Sequence, residues 1–150
     1  MAALETRQEH TASYYAATAA YPDRYPELVG SVSADVCIVG AGFTGVSTAL
    51  TLAERGYSVA LVEANRVGWG ASGRNGGQLI HGFSKDYKLA EQWGEGSEEM
   101  IWGMAWRGHD IIYDRVERYG IDCDLAGGYI EVASKESHVA ELEDQYARMQ

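Results

Sequence analysis

The feature that most constrains this chain is Gly40-Ala41-Gly42-Phe43-Thr44-Gly45, a GxGxxG run set between an apolar run and a helix-periodic segment. Before it, Asp35–Val39 reads DVCIV, the short continuous apolar run of a strand buried on both faces of a parallel sheet. After it, Val46–Arg55 carries Val46, Ala49, Leu50, Leu52 and Ala53 at helical spacing, and Gly56 suits the helix end. A second apolar run, Ser58–Glu63 (SVALVE), follows at once. Strand, glycine turn, helix and strand in this order predict a right-handed βαβ unit.

Each glycine has a physical task in such a unit. Gly40 permits a tight turn, Gly42 lets main chain approach a pyrophosphate, and Gly45 lets helix and strand pack closely. The amides and positive dipole end of the helix would face the phosphates. Glu63, about 20 residues further on, can accept hydrogen bonds from a ribose diol, and its charge would repel the 2′-phosphate of NADP. This fingerprint alone does not separate NAD from FAD.

The following segment narrows the choice. In a simple NAD dehydrogenase the second strand leads into another crossover helix. Here it leads through Ala64 and Arg66 into Gly68-Trp69-Gly70-Ala71-Ser72-Gly73-Arg74-Asn75-Gly76-Gly77-Gln78. A glycine-rich stretch with Ser, Arg, Asn and Gln offers donors along an extended polar ligand, and Arg74 can make a charge-assisted bond to phosphate.

The rest of the chain reads more coarsely. Residues 1–34 form an N-terminal arm, with Tyr14, Tyr15, Tyr21 and Tyr25 as anchors and Pro22 and Pro26 opposing helix. Residues 64–82 are loop. Residues 97–119 are helical, with Ser97 as cap, Glu98 and Glu99 in the first turn, and Ile101, Met104, Ala105, Ile111, Ile112 and Val116 along one face. Gly120 ends that helix. Gly128–Ala133 suggests a strand, and a last helix runs from about 134 to Gln150. The expected organisation is the arm followed by one α/β domain, 35–150, with substrate-domain elements possible from about 125.

The net charge of -10 disfavours nucleic acid and anionic membrane surfaces as partners. No stretch approaches the ~20 apolar residues of a membrane helix, and no signal peptide is evident. Cys37 and Cys123 show no metal or CxxC spacing, and Cys37 reads as a reduced core residue, so a cytoplasmic setting is expected. His10, His109 and His138 lack metal spacing, and Trp69, Trp93, Trp102 and Trp106 read as packing residues.

Residues 35–78 resemble the FAD site of the D-amino-acid oxidase superfamily, which includes glycine and sarcosine oxidases, with a closer likeness to its γ-glutamylputrescine-oxidase branch. The matching strings are HTASYYAA at 10–17, VCIVGAGFTGVSTALTLAERGYSV at 36–59, RVGWGASGRNGGQLI at 66–80 and RYGIDCD at 118–124. The likeness thus covers nearly the whole chain, and ASGRNGGQ at 71–78 is its most specific piece. It breaks at His81-Gly82, which replace a usual polar pair, and through 85–107. The context of His81 also differs from that of relatives that tether flavin covalently.

The resemblance implies a Rossmann-like fold and FAD, with residues 40–45 at the pyrophosphate. Glu63, Ala64 and Arg66 would lie at the adenosine ribose, and residues 71–78 (Ala71, Ser72, Gly73, Arg74, Asn75, Gly76, Gly77, Gln78) would run toward the flavin. It implies oxidation of an amine such as γ-glutamylputrescine by O2 to an aldehyde, ammonia and hydrogen peroxide. The alternatives are a related oxidase of glycine, sarcosine or a D-amino acid, or a non-catalytic nucleotide-binding fragment. Members of the family run to roughly 400 residues, so these 150 are expected to be its N-terminal part, inactive alone and with an open sheet edge.

Overall fold

The computed structural model describes residues 11–20, 25–80, 86–94, 96–128 and 130–149. Its centre is the expected βαβ unit. Strands β1 (Val36–Val39) and β2 (Val59–Val62) pair in parallel, Val36 opposite Val59 and Val39 opposite Val62. Helix α2 (Phe43–Glu54) joins them. The short helix α1 (Tyr14–Ala17) precedes β1, and α3 (Asp86–Trp93), α4 (Ser97–Tyr119) and α5 (Glu136–Met149) follow.

The register is locked at both ends. At the start, the Asp35 carboxylate accepts from the Ser58 amide (2.8 Å) and hydroxyl (2.6 Å), which hold it below the usual carboxylate range. At the other end the Gly40 amide donates to the Val62 carbonyl (2.8 Å). A one-residue slip would break both ties.

Helix α2 starts at Phe43, three residues before its apolar period begins, so the glycine run is itself the helix entry. It ends where Gly56 takes a left-handed φ of +88°, an ordinary conformation for glycine after a helix. Its polar stripe, Ser47, Thr51 and Glu54, meets α4. Arg115 donates to Ser47 Oγ (3.1 Å), Thr51 Oγ1 (2.8 Å) and Glu54 Oε2 (3.0 Å). Arg118 (3.3 Å) and the Tyr119 hydroxyl (2.9 Å) donate to Glu54 Oε1. The Glu54 carboxyl is held below its ordinary range, first by Arg115 and then by Tyr119.

This clasp ties the crossover helix to the longest helix of the chain. Arg115→Ala is expected to lower the thermal midpoint by a few degrees, and Arg115→Lys to restore little, because an ammonium cannot span three acceptors as a planar fork does. Thermal unfolding followed by circular dichroism checks both.

Several expectations need correction. The strands are not buried on both faces: Val39 is 85% exposed and Cys37, a free thiol, is exposed rather than in a core. With only two strands paired among the described residues, no third strand covers β1. The tyrosine anchors of the arm are also exposed at 14, 15 and 25, while Tyr21 and Pro22 lie outside the described residues.

Ser97 does not cap α4. Gly96, at φ +84°, holds that position, and the Ser97 hydroxyl donates to the Gly94 carbonyl instead (2.7 Å). Ile101 is buried, whereas Met104 and Ile112 of the expected apolar face are exposed. Residues 128–133 form no strand among those described, and Ile130 and Val132 stand out in solvent. Tyr129 lies outside the described residues. Alternation alone cannot make a strand that has no partner edge. Helix α3 was not expected; it is short and lies within 85–107, where the resemblance breaks. His10, His81 and Gly82 lie outside the described residues. Among the described residues no helix is long and apolar enough to cross a membrane, and no cluster of metal-ligating side chains occurs.

Candidate functional site

The site forms where the chain leaves β1. Gly40 turns with φ +100°, a conformation that costs a residue with Cβ dearly. Gly42 stands at the N-cap of α2 with extended backbone and no side chain to satisfy the helix amides. The Phe43 amide is met from outside the helix, and those of Thr44 and Gly45 have no intrahelical acceptor, so they form a ready seat for an anion.

Gly45 closes the corner. A Cβ on it would overlap the Gly40 carbonyl oxygen and lie 3.1 Å from the Gly40 carbonyl carbon and 3.5 Å from Ile38 Cγ2. The helix therefore packs directly on the turn backbone, as the spacing of the three glycines requires. A Cβ on Gly42 would meet Ser72 Oγ at 3.0 Å. The cradle is thus one that side chains would fill.

Glu63 stands just past β2 and reaches the corner. Its Oε2 accepts from the Ala41 amide (2.8 Å) and its Oε1 from the Asn65 amide (3.0 Å). The Ala41 amide, then that of Asn65, holds its carboxyl below the ordinary range, against the opposing effect of burial. Glu63 is therefore ionised at neutral pH. An ionised carboxylate offers about four lone-pair sites, so two backbone bonds leave capacity for sugar hydroxyls.

The second glycine-rich segment is stitched to the first. The Gly68 amide donates to the Ala41 carbonyl (2.9 Å), and the Phe43 amide donates to Ser72 Oγ (2.9 Å). Ser72 lies in a 3-10 turn (Ala71–Gly73) and so caps α2 from a distance of 29 residues in sequence. Its hydroxyl proton remains available to donate while its oxygen accepts.

The remaining expected residues divide by role. Asn75 clasps its own loop: its amide nitrogen donates to the Ser72 carbonyl (2.8 Å) and its oxygen accepts from the Gly77 amide (2.8 Å). Gly77 there has φ +69°. Arg74 donates through Nε to the Gly70 carbonyl (3.1 Å) and lies over the Trp69 ring at 5.4 Å. Thr44 lies in the first turn of α2 beside Gly45, and Ala64 follows Glu63. Gly73 backs onto Gly68, 3.7 Å from a Cβ placed there. Gly76 and Gln78 are exposed at the far end of the loop, and Arg66 faces the N-terminal arm.

The structure thus brings 40–45, Glu63 and Ser72 together, and uses Asn75 to shape the loop. Sequence reasoning missed the remote cap by Ser72 and the clasp at Arg115. The polar spacing of Ser47, Thr51 and Glu54 on an otherwise apolar helix was the one available signal for the clasp. Chemically, an anion seat beside a fixed carboxylate suits a ligand that joins phosphate to a sugar diol.

The family model for FAD dependent oxidoreductase (DAO) matches residues 35–150. The chain is 46% identical over 138 residues to gamma-glutamylputrescine oxidoreductase of Escherichia coli K12, covering 91% of this chain and 32% of that protein. It is 43% identical to a probable oxidoreductase OrdL of Haemophilus influenzae (90% of this chain, 32% of that protein). A probable oxidoreductase OrdL of Rhizobium meliloti is 35% identical (89% and 31%). The chain spans about a third of the length of these curated relatives. No solved structure matches it significantly.

Proposed function

This chain belongs to the DAO family of FAD dependent oxidoreductases, and from that premise we propose that it supplies the ADP-binding half of the FAD site in a cytoplasmic oxidoreductase of γ-glutamylputrescine or a closely similar amine. The observation that carries the cofactor assignment is the stitched corner, in which Glu63 grips the Ala41 amide while Gly45 presses α2 against the Gly40 turn. The substrate class rests on the likeness to the Escherichia coli relative.

In this reading the Thr44 and Gly45 amides at the start of α2 hold the pyrophosphate and the helix dipole favours its charge. The spare lone pairs of Glu63 take the ribose hydroxyls. Ser72 donates its proton toward a phosphate oxygen while capping Phe43. Residues 74–78, shaped by Asn75, carry main chain onward toward the flavin end. FAD held by these residues would supply the redox chemistry. Small-molecule amine and O2 are the partners, with neither nucleic acid nor membrane.

The complete gene product is expected to purify with the visible absorbance of bound flavin and to release hydrogen peroxide with γ-glutamylputrescine. Peroxide from sarcosine, glycine or a D-amino acid but none from γ-glutamylputrescine would reassign the substrate. Colourless protein that takes up neither FAD nor ADP would remove the cofactor assignment itself.

A further inference from the structure

Helix α2 is held on two opposite faces. On the inner face Gly45 presses on the Gly40 carbonyl, with Ile38 beside it. At about 3.6 residues per turn, Ser47, Thr51 and Glu54 are turned roughly 180–240° from Gly45 about the axis, so they form the outward stripe. Arg115 of α4 spans that whole stripe, from Ser47 Oγ (3.1 Å) through Thr51 Oγ1 (2.8 Å) to Glu54 Oε2 (3.0 Å).

The inner face gives the start of α2 little hold of its own. Gly45 has no side chain, Phe43 is 67% exposed and Val46 is 38% exposed. No residue of α2 is fully buried. Apolar packing therefore fixes the first turns weakly, yet the Thr44 and Gly45 amides must meet phosphate oxygens within hydrogen-bond range.

We propose that Arg115 is a positioning residue for the phosphate seat: its grip on the outward stripe keeps α2 pressed on the Gly40 turn and so sets the affinity for FAD. The inference rests on the dinucleotide reading above and adds to it a determinant outside both glycine segments.

The grip begins close to the seat. Ser47 is two residues past Gly45, about 3 Å along the axis. The Thr51 hydroxyl donates its proton to the Ser47 carbonyl (2.7 Å) while its oxygen accepts from Arg115, so one guanidinium ties two successive turns. Arg115 is itself well fixed. Its side chain is only 14% exposed, which limits screening by salt. Glu54, which also accepts from Arg118 and Tyr119, anchors the far end of the fork. Helix α4 closes just beyond, where the Ile121 amide donates to the Val116 carbonyl (3.0 Å). A planar fork fixes direction as well as distance.

The test uses the complete gene product, stripped of flavin, as parent, Arg115→Ala, Ser47→Ala and Glu54→Ala, each well below its unfolding midpoint. Arg115→Ala should weaken FAD and ADP about 10-fold, as several seat bonds lengthen together. Ser47→Ala cuts the grip nearest the seat and suits a helix, so it should weaken both about 3-fold with the midpoint nearly unchanged. Glu54→Ala should do the reverse. It orphans donors on Arg115, Arg118 and Tyr119, so the midpoint should fall furthest while affinity changes less than in Ser47→Ala. In unliganded Arg115→Ala the Gly40 and Val46 amides, bonded to the Val62 and Gly42 carbonyls, should exchange faster. The Asp35 amide, bonded to the Ser58 carbonyl at the other end of the strands, should not.

Parent-like FAD and ADP affinity in Arg115→Ala overturns the proposal. So do affinity losses that follow the order of the midpoints, or equal acceleration at Gly40, Val46 and Asp35. If Arg115→Ala does not fold, Ser47→Ala decides alone, and parent-like affinity there overturns the proposal. A parent that binds neither FAD nor ADP fells the dinucleotide reading, and the positioning role with it. A parent that binds both while the variants bind them equally well fells the positioning role alone.

Discussion

Gly45→Ala is expected to abolish measurable FAD binding at micromolar cofactor and to lower the unfolding midpoint. The added methyl would overlap the Gly40 carbonyl oxygen. That atom belongs to main chain, and it cannot retreat without opening the turn, whose φ of +100° and bond to Val62 fix it. Overpacking against a well-set neighbour costs about 1–3 kcal/mol, and the strain falls on the phosphate seat itself. Relief by lifting α2 off the turn would move every first-turn amide.

Gly42→Ala should be milder. Its Cβ meets a serine hydroxyl that can rotate away, at the loss of the remote cap on Phe43. Gly103→Ala in α4 is the control: nothing lies within 4 Å of the added methyl, and alanine favours a helix interior by about 0.5–1 kcal/mol over glycine. Flavin fluorescence titration and thermal unfolding of the three variants give the ordering. A Gly45→Ala protein that binds FAD like the parent would show that the corner is not the phosphate seat.

Glu63→Ala is expected to weaken FAD roughly 5- to 150-fold, the equivalent of orphaning a buried donor at about 1–3 kcal/mol. The Ala41 amide is that donor, in a residue only 1% exposed. The ribose contacts would go with it. Glu63→Gln keeps one acceptor oxygen but places an amide where Ala41 or Asn65 donates, so it should fall between alanine and parent.

The same carboxylate sets an acid dependence. Its folded pKa lies below the ordinary value of 4.5, because the Ala41 and Asn65 amides favour the charged form. A depressed folded pKa contributes stability that is fully present above the unfolded value and is lost as pH falls through the folded one. Folding stability should therefore fall as pH drops below 4.5, and the step attributable to Glu63 should vanish in Glu63→Gln. Asp35 and Glu54 shift the same way, so the difference between variant and parent, not the parent curve, isolates the Glu63 contribution. Identical acid curves for the two would remove Glu63 from the corner.

The parts legible beforehand were those built from near neighbours. The β1–α2–β2 order, the bend at Gly40 and the end of α4 at Gly120 follow from apolar period and from which residues tolerate positive φ. Boundaries shifted by a few residues, as at Phe43, because a glycine run can enter a helix as well as precede it. The expected strand at 128–133 failed for the complementary reason: alternation describes a surface, and a strand exists only where another edge supplies its hydrogen bonds.

The site divides along the same line. Residues 40–45 and Glu63 could be named from spacing, since each answers a local demand for a turn or an acid at a strand end. Ser72 as a cap on Phe43, Asn75 as a loop clasp and Arg115 spanning three side chains of α2 could not. Nothing in the local pattern marks a serine that will cap a helix 29 residues back, or an arginine 64 residues from its threonine. Backbone conformation is governed by torsions and contacts a few residues long, and these are written along the chain. Which distant side chain closes a turn or joins two helices is settled only when folding brings the surfaces together, because those bond energies depend on distance in space and not on separation in sequence.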